Sequence, residues 1–291
     1  MINIGIVGAE NSHTAAIARV VNREAKVRGA RVTHVWGERA IYAQRAASEG
    51  DIPHIVREPT DLIGAVDAVV VDHRHAKHHL PAARPLLEAK LPLFIDKPFC
   101  YRLAEGRRFL TRARELDVPV VSFSTLPHQR AFKEFARKTR KLGRLRLVVA
   151  TGPCEIRSPW GGIFFYGIHQ VDMALRILGY DLSSARVTRG REKTHVANLG
   201  FAGGEIASFN LVGGGEAEFH LSAIGERGRV DQLIEFDESP YLTGIRAFIK
   251  TFNTGRTDET AESMLSPVAA LQALEKSLAQ GGRSVPIRKR G

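Results

Sequence analysis

The sequence predicts an α/β protein in two parts. A doubly wound parallel sheet takes residues 1–123, and an α+β domain with an open, largely antiparallel sheet takes residues 124–291. Three observations carry this. Up to residue 123, short apolar runs alternate with helix-like stretches, as in β-α units that feed a parallel sheet. Beyond residue 178, strand-like runs follow one another without helices between them. The chain has 291 residues, 44% of them hydrophobic and 25% charged, enough for two cores.

The first strand is the apolar run Asn3–Val7, which meets Gly8 and then Ala9, Glu10, Asn11, Ser12 and His13 before the helix-like Thr14–Ala18. A strand, a sharp turn and a helix start make an anion site, because first-turn N–H groups lack intrahelical partners. The glycine fingerprint of dinucleotide sites is incomplete here. Aligned on Gly8, its second and third glycines are Glu10 and His13. Arg31–Trp36 is a second strand, followed by Gly37, Glu38 and Arg39. Glu38 stands thirty residues after Gly8, a βαβ spacing. An acid there can bind ribose hydroxyls, whereas Arg39 can pair with a 2′-phosphate, so NAD and NADP both stay open.

Ile41–Ser48 reads as a helix and Asp67–Val71 as a third strand, fully apolar over its last four residues. It ends in Asp72, His73, Arg74 and His75, with His78 and His79 opening the next helix. These histidines lack a companion carboxylate or cysteine at ligand spacing, so no metal is expected and the loop reads as one bordering a ligand. Pro81–Ala89 is a helix and Pro92–Ile95 a strand ending in Asp96-Lys97-Pro98. A lysine at the carboxyl end of a parallel strand points into the crevice where such sheets bind ligands, and Pro98 fixes the backbone beside it. Leu103–Leu116 is a helix and Val118–Phe123 a strand.

The pattern then changes. The basic run Arg130–Arg146 reads as an amphipathic helix, and Leu145–Thr151 as a strand. Ile163–Leu178 is an apolar helix carrying Tyr166, His169 and Asp172. Strands are expected at Ala185–Thr188, His195–Phe201, Glu205–Val212, Glu216–Ile224 and Arg229–Phe236. Gly203-Gly204 and Gly213-Gly214-Gly215 read as hairpin turns. Pro240–Thr254 and Thr260–Gln280 are closing helices, and Arg288-Lys289-Arg290 a frayed tail.

Composition narrows the function. The two cysteines, Cys100 and Cys154, form neither a disulfide framework nor a metal motif. No apolar run approaches a membrane span and no signal peptide is apparent, so a cytoplasmic protein without membrane association is expected. The formal charge of +11 comes without an aromatic stacking series. That argues against nucleic acid and mildly favours an acidic or phosphorylated small molecule.

Taken together, the motifs resemble the Gfo/Idh/MocA family of NAD(P)-dependent oxidoreductases. The resemblance rests on Ile4-Gly5-Ile6-Val7-Gly8, on Asp96-Lys97-Pro98 in place of the family's Glu-Lys-Pro, on Gly161-Gly162 followed by His169-Gln170-Val171-Asp172, and on Phe252-Asn253-Thr254-Gly255-Arg256. It implies a Rossmann domain, then a domain whose open sheet packs against another subunit, giving a homodimer or homotetramer. It implies hydride transfer between a nicotinamide, as NAD or NADP, and a carbohydrate-like or other small hydroxy or oxo substrate.

By position, Lys97 would stand beside the substrate oxygen and His169 would exchange its proton. Gly8, Ala9, Asn11, Ser12 and His13 would hold the pyrophosphate, with Glu10 turned away. Glu38 or Arg39 would hold the adenosine ribose, and Asp72, His73, His75 and Pro98 would line the cofactor. The inositol-type aspartate four residues before the histidine is Phe165 here. Tyr166 is a substitute proton donor, and Asp172 can orient the imidazole or face the substrate. The chain is also short for the family, and the trimming is expected in the C-terminal sheet. Two other functions fit the same residues: ligand binding without turnover, and redox-neutral nicotinamide chemistry such as glycoside cleavage.

Overall fold

The computed structural model describes residues 1–214 and 217–287. The chain forms two compact units. One comprises residues 1–100, 104–123 and 239–261, the other residues 101–103, 124–238 and 262 onward. The segment 239–261, assigned from sequence to the second domain, thus packs with the first.

The elements run in order as follows. β1 (Ile2–Val7) leads to α1 (Ser12–Ala18), which continues into a π-helical turn, Arg19–Arg23. Then come β2 (Ala30–Trp36), α2 (Ala40–Gly50), β3 (His54–Ile55), β4 (Ala68–Val71) and α3 (His79–Glu88). β5 (Leu93–Ile95), α4 (Leu103–Glu115), β6 (Val120–Val121) and α5 (Arg130–Thr139) follow. The later part holds β7 (Leu145–Pro153), α6 (Ile163–Leu178), β8 (Leu182–Arg189), β9 (Thr194–Phe201) and β10 (Ile206–Val212). It closes with β11 (His220–Gly225), β12 (Gly228–Leu233), α7 (Leu242–Thr254), α8 (Ala261–Ala279) and β13 (Val285–Pro286).

In the first unit six parallel strands stand in the order β3-β2-β1-β4-β5-β6. β3 escaped the sequence reading because both its residues are exposed and no apolar run marks it. The last strand is shorter than Val118–Phe123, leaving Val120 and Val121 as the paired residues. The central strands are wholly buried, as parallel strands covered on both faces must be. α7 adds Ile245, Phe248, Ile249 and Phe252 to this core, with the Phe248 ring stacked on Phe94 at 4.7 Å and Phe94 in turn 5.0 Å from Phe123.

In the second unit the order is β12-β11-β7-β10-β9-β8-β13. All pairs are antiparallel except β7 with β10. Gly203-Gly204 does lie in the β9-β10 connection, but β10 and β11 flank β7, so the Gly213 segment is a crossover and not a hairpin turn. The basic helix ends at Thr139, short of Arg146, because the turn after it needs Gly143 at φ +71° before β7 begins. Strand residues alternate: His195, Ala197, Leu199 and Phe201 point to the buried face, with Val196 outward. The Arg288–Arg290 tail and the start of the Glu216–Ile224 run lie outside the described residues. Among the described residues no helix is long and apolar enough to cross a membrane.

Candidate functional site

The first cluster gathers at the carboxyl ends of β1, β2, β4 and β5. Gly8 follows β1 at φ +105°, and a Cβ there would stand 2.7 Å from the backbone of Asp72 and His73, so only glycine fits. The turn beyond it is held by Glu38. Its Oε2 accepts the N–H groups of Ala9 at 2.9 Å and Glu10 at 3.0 Å. Its Oε1 is buried with no partner among the described residues. Arg39 turns elsewhere, its guanidinium 5.7 Å from the Tyr42 ring, where Arg45 also lies. The Glu10 carboxyl sits above the usual carboxylate range. Burial is the main cause and the Glu38 charge adds to it, against the pull of Arg74.

Beneath this turn two aspartates are buried side by side. Asp72 Oδ1 accepts from the Asn11 amide at 2.8 Å, and the same amide reaches Asp96 at 3.3 Å. The Thr14 hydroxyl lies 2.7 Å from the Gly8 carbonyl and 2.6 Å from Asp72 Oδ2. A hydroxyl has one hydrogen and a carbonyl only accepts. Both contacts are bonds only if Thr14 donates to Gly8 and Asp72 carries a proton on Oδ2. Electrostatics agrees: burial first, and then the Asp96 charge, hold Asp72 well above the usual range. Burial also pushes Asp96 up, but the charges of His13 and Lys97 outweigh it and keep Asp96 ionised, below the usual range. His13 Nδ1 lies 3.3 Å from Asp96 and Lys97 Nζ 3.7 Å. The His13 ring also packs on Tyr241 at 5.2 Å.

His13, Asp72 and Asp96 form the group among the described residues that could offer a metal three ligands. Those atoms already serve Asn11, Thr14 and Lys97. The histidine run 73–79 forms no such group and is structural in part. His79, fully buried, has Nε2 2.8 Å from the His73 carbonyl and Nδ1 3.0 Å from the Pro98 carbonyl. It ties the loop after β4 to the loop bearing Lys97, whose peptide to Pro98 is cis. Burial keeps the His79 ring below the usual histidine range, against the two carbonyls, which favour the charged form; the neutral ring has one N–H and so donates to one of the two carbonyls at a time. His73 is held down to about 3 by burial and by His79 and His78, so its ring is neutral. Its ring lies tilted against Trp36 with centroids 5.8 Å apart, and its Nδ1 is buried and unpartnered among the described residues. His75 caps the turn of residues 76–78 by accepting from Lys77 N–H at 3.2 Å.

The second cluster lies in the other unit, on α6. Gly162 precedes this helix at φ +59°, and a Cβ there would meet the Ile156 carbonyl at 2.9 Å; Gly161 beside it is at φ +105°, so both positions suit glycine. His169 Nδ1 lies 2.7 Å from Ser124 Oγ. Its ring is flanked edge-on by Tyr166 at 5.7 Å and Phe219 at 5.6 Å. Tyr166 is 40% exposed, one turn before the histidine and available to a ligand. Asp172 accepts from Arg176 Nε at 2.9 Å, so its carboxylate is engaged one turn beyond the histidine. Gln170 donates to the Gly152 carbonyl at 3.1 Å and fixes α6 to β7.

Thr14, His79 as a tie, and Ser124 were not singled out in the sequence. Ser124 carried one signal, its place just after the last apolar run of the parallel sheet.

The strand order, the Gly8 turn and an acid at the end of β2 define a dinucleotide-binding α/β protein. Residues 2–123 match the model of the oxidoreductase family with an NAD-binding Rossmann fold, GFO_IDH_MocA; the match covers this part of the chain and not residues 124–291. No curated protein matches the sequence.

Solved structures share the fold over nearly their full length. The myo-inositol dehydrogenase of Lactobacillus casei, in complex with NAD(H) and myo-inositol, is 17% identical with a TM-score of 0.84 over 100% of this chain and 98% of that one. The scyllo-inositol dehydrogenase of the same organism, with NAD(H) and scyllo-inositol bound, is 15% identical with a TM-score of 0.85 over 99% of both chains. GenD2 from gentamicin A biosynthesis, in complex with NAD, is 17% identical with a TM-score of 0.86 over 99% of this chain and 96% of that one. The C-terminal sheet, expected to be trimmed, has seven strands and falls within these matches.

Proposed function

We propose that this chain is an NAD-dependent dehydrogenase that interconverts a secondary hydroxyl and a ketone on a polyol or sugar-like substrate. The observation that carries the proposal is Glu38. One of its oxygens binds two turn N–H groups and the other is buried without a partner among the described residues. A buried acceptor left without a donor costs about 1–3 kcal/mol, and a ribose hydroxyl would supply that donor. The carboxylate repels a 2′-phosphate, and Arg39 is engaged on Tyr42, which supports NAD over NADP. Gly8, Ala9, Ser12 and His13 would border the pyrophosphate, and Asp72, His73, His75 and Pro98 the rest of the cofactor. Asn11 would act indirectly, since its amide serves the two aspartates.

Bound NAD would supply hydride acceptance at its nicotinamide ring. The chain supplies the rest. His169 takes the hydroxyl proton in oxidation and returns it in reduction. Lys97 stabilises the developing alkoxide, and Asp96, 3.7 Å from its Nζ, holds the side chain in place. Tyr166 hydrogen-bonds the substrate, and Asp172 restrains the helix through Arg176. The inositols bound by the structural neighbours support the polyol class. The outward face of the second sheet, where Val196 and Ile206 are 38% and 46% exposed, is assigned to a second copy of the chain.

The test is fluorescence titration with NADH and NADPH, then NAD⁺ reduction with myo- and scyllo-inositol. NADH binding in preference to NADPH, with turnover lost in Lys97→Ala and His169→Ala, is expected. No binding of either nucleotide at millimolar concentration refutes the proposal. A second reading, ligand binding without turnover, is favoured by one fact: the turn N–H groups and the Asn11 amide already have acceptors in the protein.

A further inference from the structure

Ser124 is fully buried, and among the described residues its Oγ has two partners. It accepts the Leu126 N–H at 3.4 Å and lies 2.7 Å from Nδ1 of His169. The Leu126 group can only donate. The hydroxyl hydrogen therefore has one acceptor in reach, Nδ1, so in the neutral ring Nδ1 is bare and the hydrogen sits on Nε2.

We infer that Ser124 is the positioning residue of His169. It clamps Nδ1, holds the ring between Tyr166 and Phe219, and sets the resting tautomer to Nε2–H. The inference rests on the reading of His169 as the proton carrier. A carboxylate in this place, able only to accept, would impose the opposite tautomer, Nδ1–H with a bare Nε2. At rest the ring thus offers a substrate oxygen a hydrogen-bond donor, as suits a carbonyl. To act as base toward an alcohol, the ring must lose its Nε2 proton to water and gain one from water at Nδ1. Ser124 follows that change by accepting from Nδ1, its own hydrogen then without an acceptor among the described residues, so this form is the less stable of the two. A single hydroxyl thereby serves both directions of the redox step.

The test is nitrogen NMR of the full chain labelled with ¹⁵N-histidine, with His169 identified by its loss in His169→Gln, above the pH at which the ring titrates. The expected wild-type spectrum shows Nδ1 unprotonated and Nε2 protonated. Ser124→Ala should lose that bias and Ser124→Thr keep it. A protonated Nδ1 in the neutral wild-type ring, or a Ser124→Ala spectrum identical to wild type, overturns the inference. If Ser124→Ala does not fold, the wild-type and Ser124→Thr spectra decide.

A kinetic arm with NAD⁺ and myo-inositol separates positioning from packing. Ser124→Ala should lower kcat about tenfold or more with KM for NAD⁺ unchanged, and Ser124→Thr should restore it. A changed tautomer with unchanged kcat overturns the positioning role. The expected tautomer in a wild-type protein that binds no NADH supports the clamp and counts against the dehydrogenase reading.

Discussion

Replacing Asp72 by Asn tests whether a carboxylic acid stays protonated beneath the turn. The amide mimics the protonated acid: its NH₂ can donate to Thr14 and its carbonyl can accept from Asn11, as Asp72 does. The variant should fold and retain the site. The consequence is sharpest in the pH dependence. The folded-state pKa of Asp72 is raised well above its ordinary 3.8. Above that ordinary value the unfolded chain releases the proton while the folded chain keeps it, so wild-type stability falls as pH rises. The contribution is whole below the unfolded pKa and is lost through the folded one. The slope is about 1.4 kcal/mol per pH unit within that window. Asp72→Asn removes this slope alone, so the variant should gain on wild type by that amount per unit above pH 4.

Urea unfolding of both proteins across the acid-to-neutral range reads the difference, in which the other titrating groups cancel. The infrared band of a protonated carboxyl, present in wild type and absent in the variant, is an independent check. A stability difference that is flat with pH, or a variant weakened equally at every pH, would show that Asp72 is ionised and that the hydrogen-bond assignment at Thr14 fails. Asp96→Asn should behave oppositely. It strips the partner from His13 and Lys97, and a broken buried pair costs about 3–5 kcal/mol.

Three further outcomes are expected. Glu38→Gln should weaken NADH binding by about tenfold and narrow the preference over NADPH, read by the same fluorescence titration. Gly8→Ala should abolish nucleotide binding and lower the melting temperature, because its methyl would stand 2.7 Å from the Asp72–His73 backbone, which cannot yield as a side chain can. Burial pushes the Cys154 thiol up to about 12, so in the folded protein it should resist alkylation by iodoacetamide at pH 8 and react only after unfolding, as mass spectrometry would show.

Much of the parallel sheet was legible because β1, β4 and β5 are apolar runs closed by Gly8, Asp72 or Asp96-Lys97-Pro98, and burial on both faces leaves few other readings. α6 was legible to its ends for the same reason. What escaped depended on pairing between distant residues. β3 is two exposed residues whose only mark is a partner strand. The parallel pairing of β7 with β10, which overrules the hairpin reading at Gly213, leaves no trace in local composition.

The site divides likewise. Gly8, Glu38 and Lys97 stood out by residue type and spacing, and His169 through the family resemblance. Thr14 and Ser124 are ordinary hydroxyls whose meaning comes from the acceptors facing them. Asn11 was read as a phosphate donor, yet its amide is turned inward because two buried aspartates sixty-one and eighty-five residues away require its hydrogens.

The first unit is not contiguous in the chain, and that bears on how it is made. A ribosome that has released residues 1–123 has delivered all six parallel strands but not α7, so Phe94 and Phe123 have no Phe248 to cover them. Truncating one buried phenylalanine in a core costs about 3–5 kcal/mol, and here a whole helical face is missing at once. The nucleotide-binding unit therefore completes its core only after residue 252 has emerged, with the intervening sheet already synthesised. An excised 1–123 fragment is the wrong object for binding studies. A fragment that joins residues 239–261 to it through a short linker is the smallest one that restores the hydrophobic face.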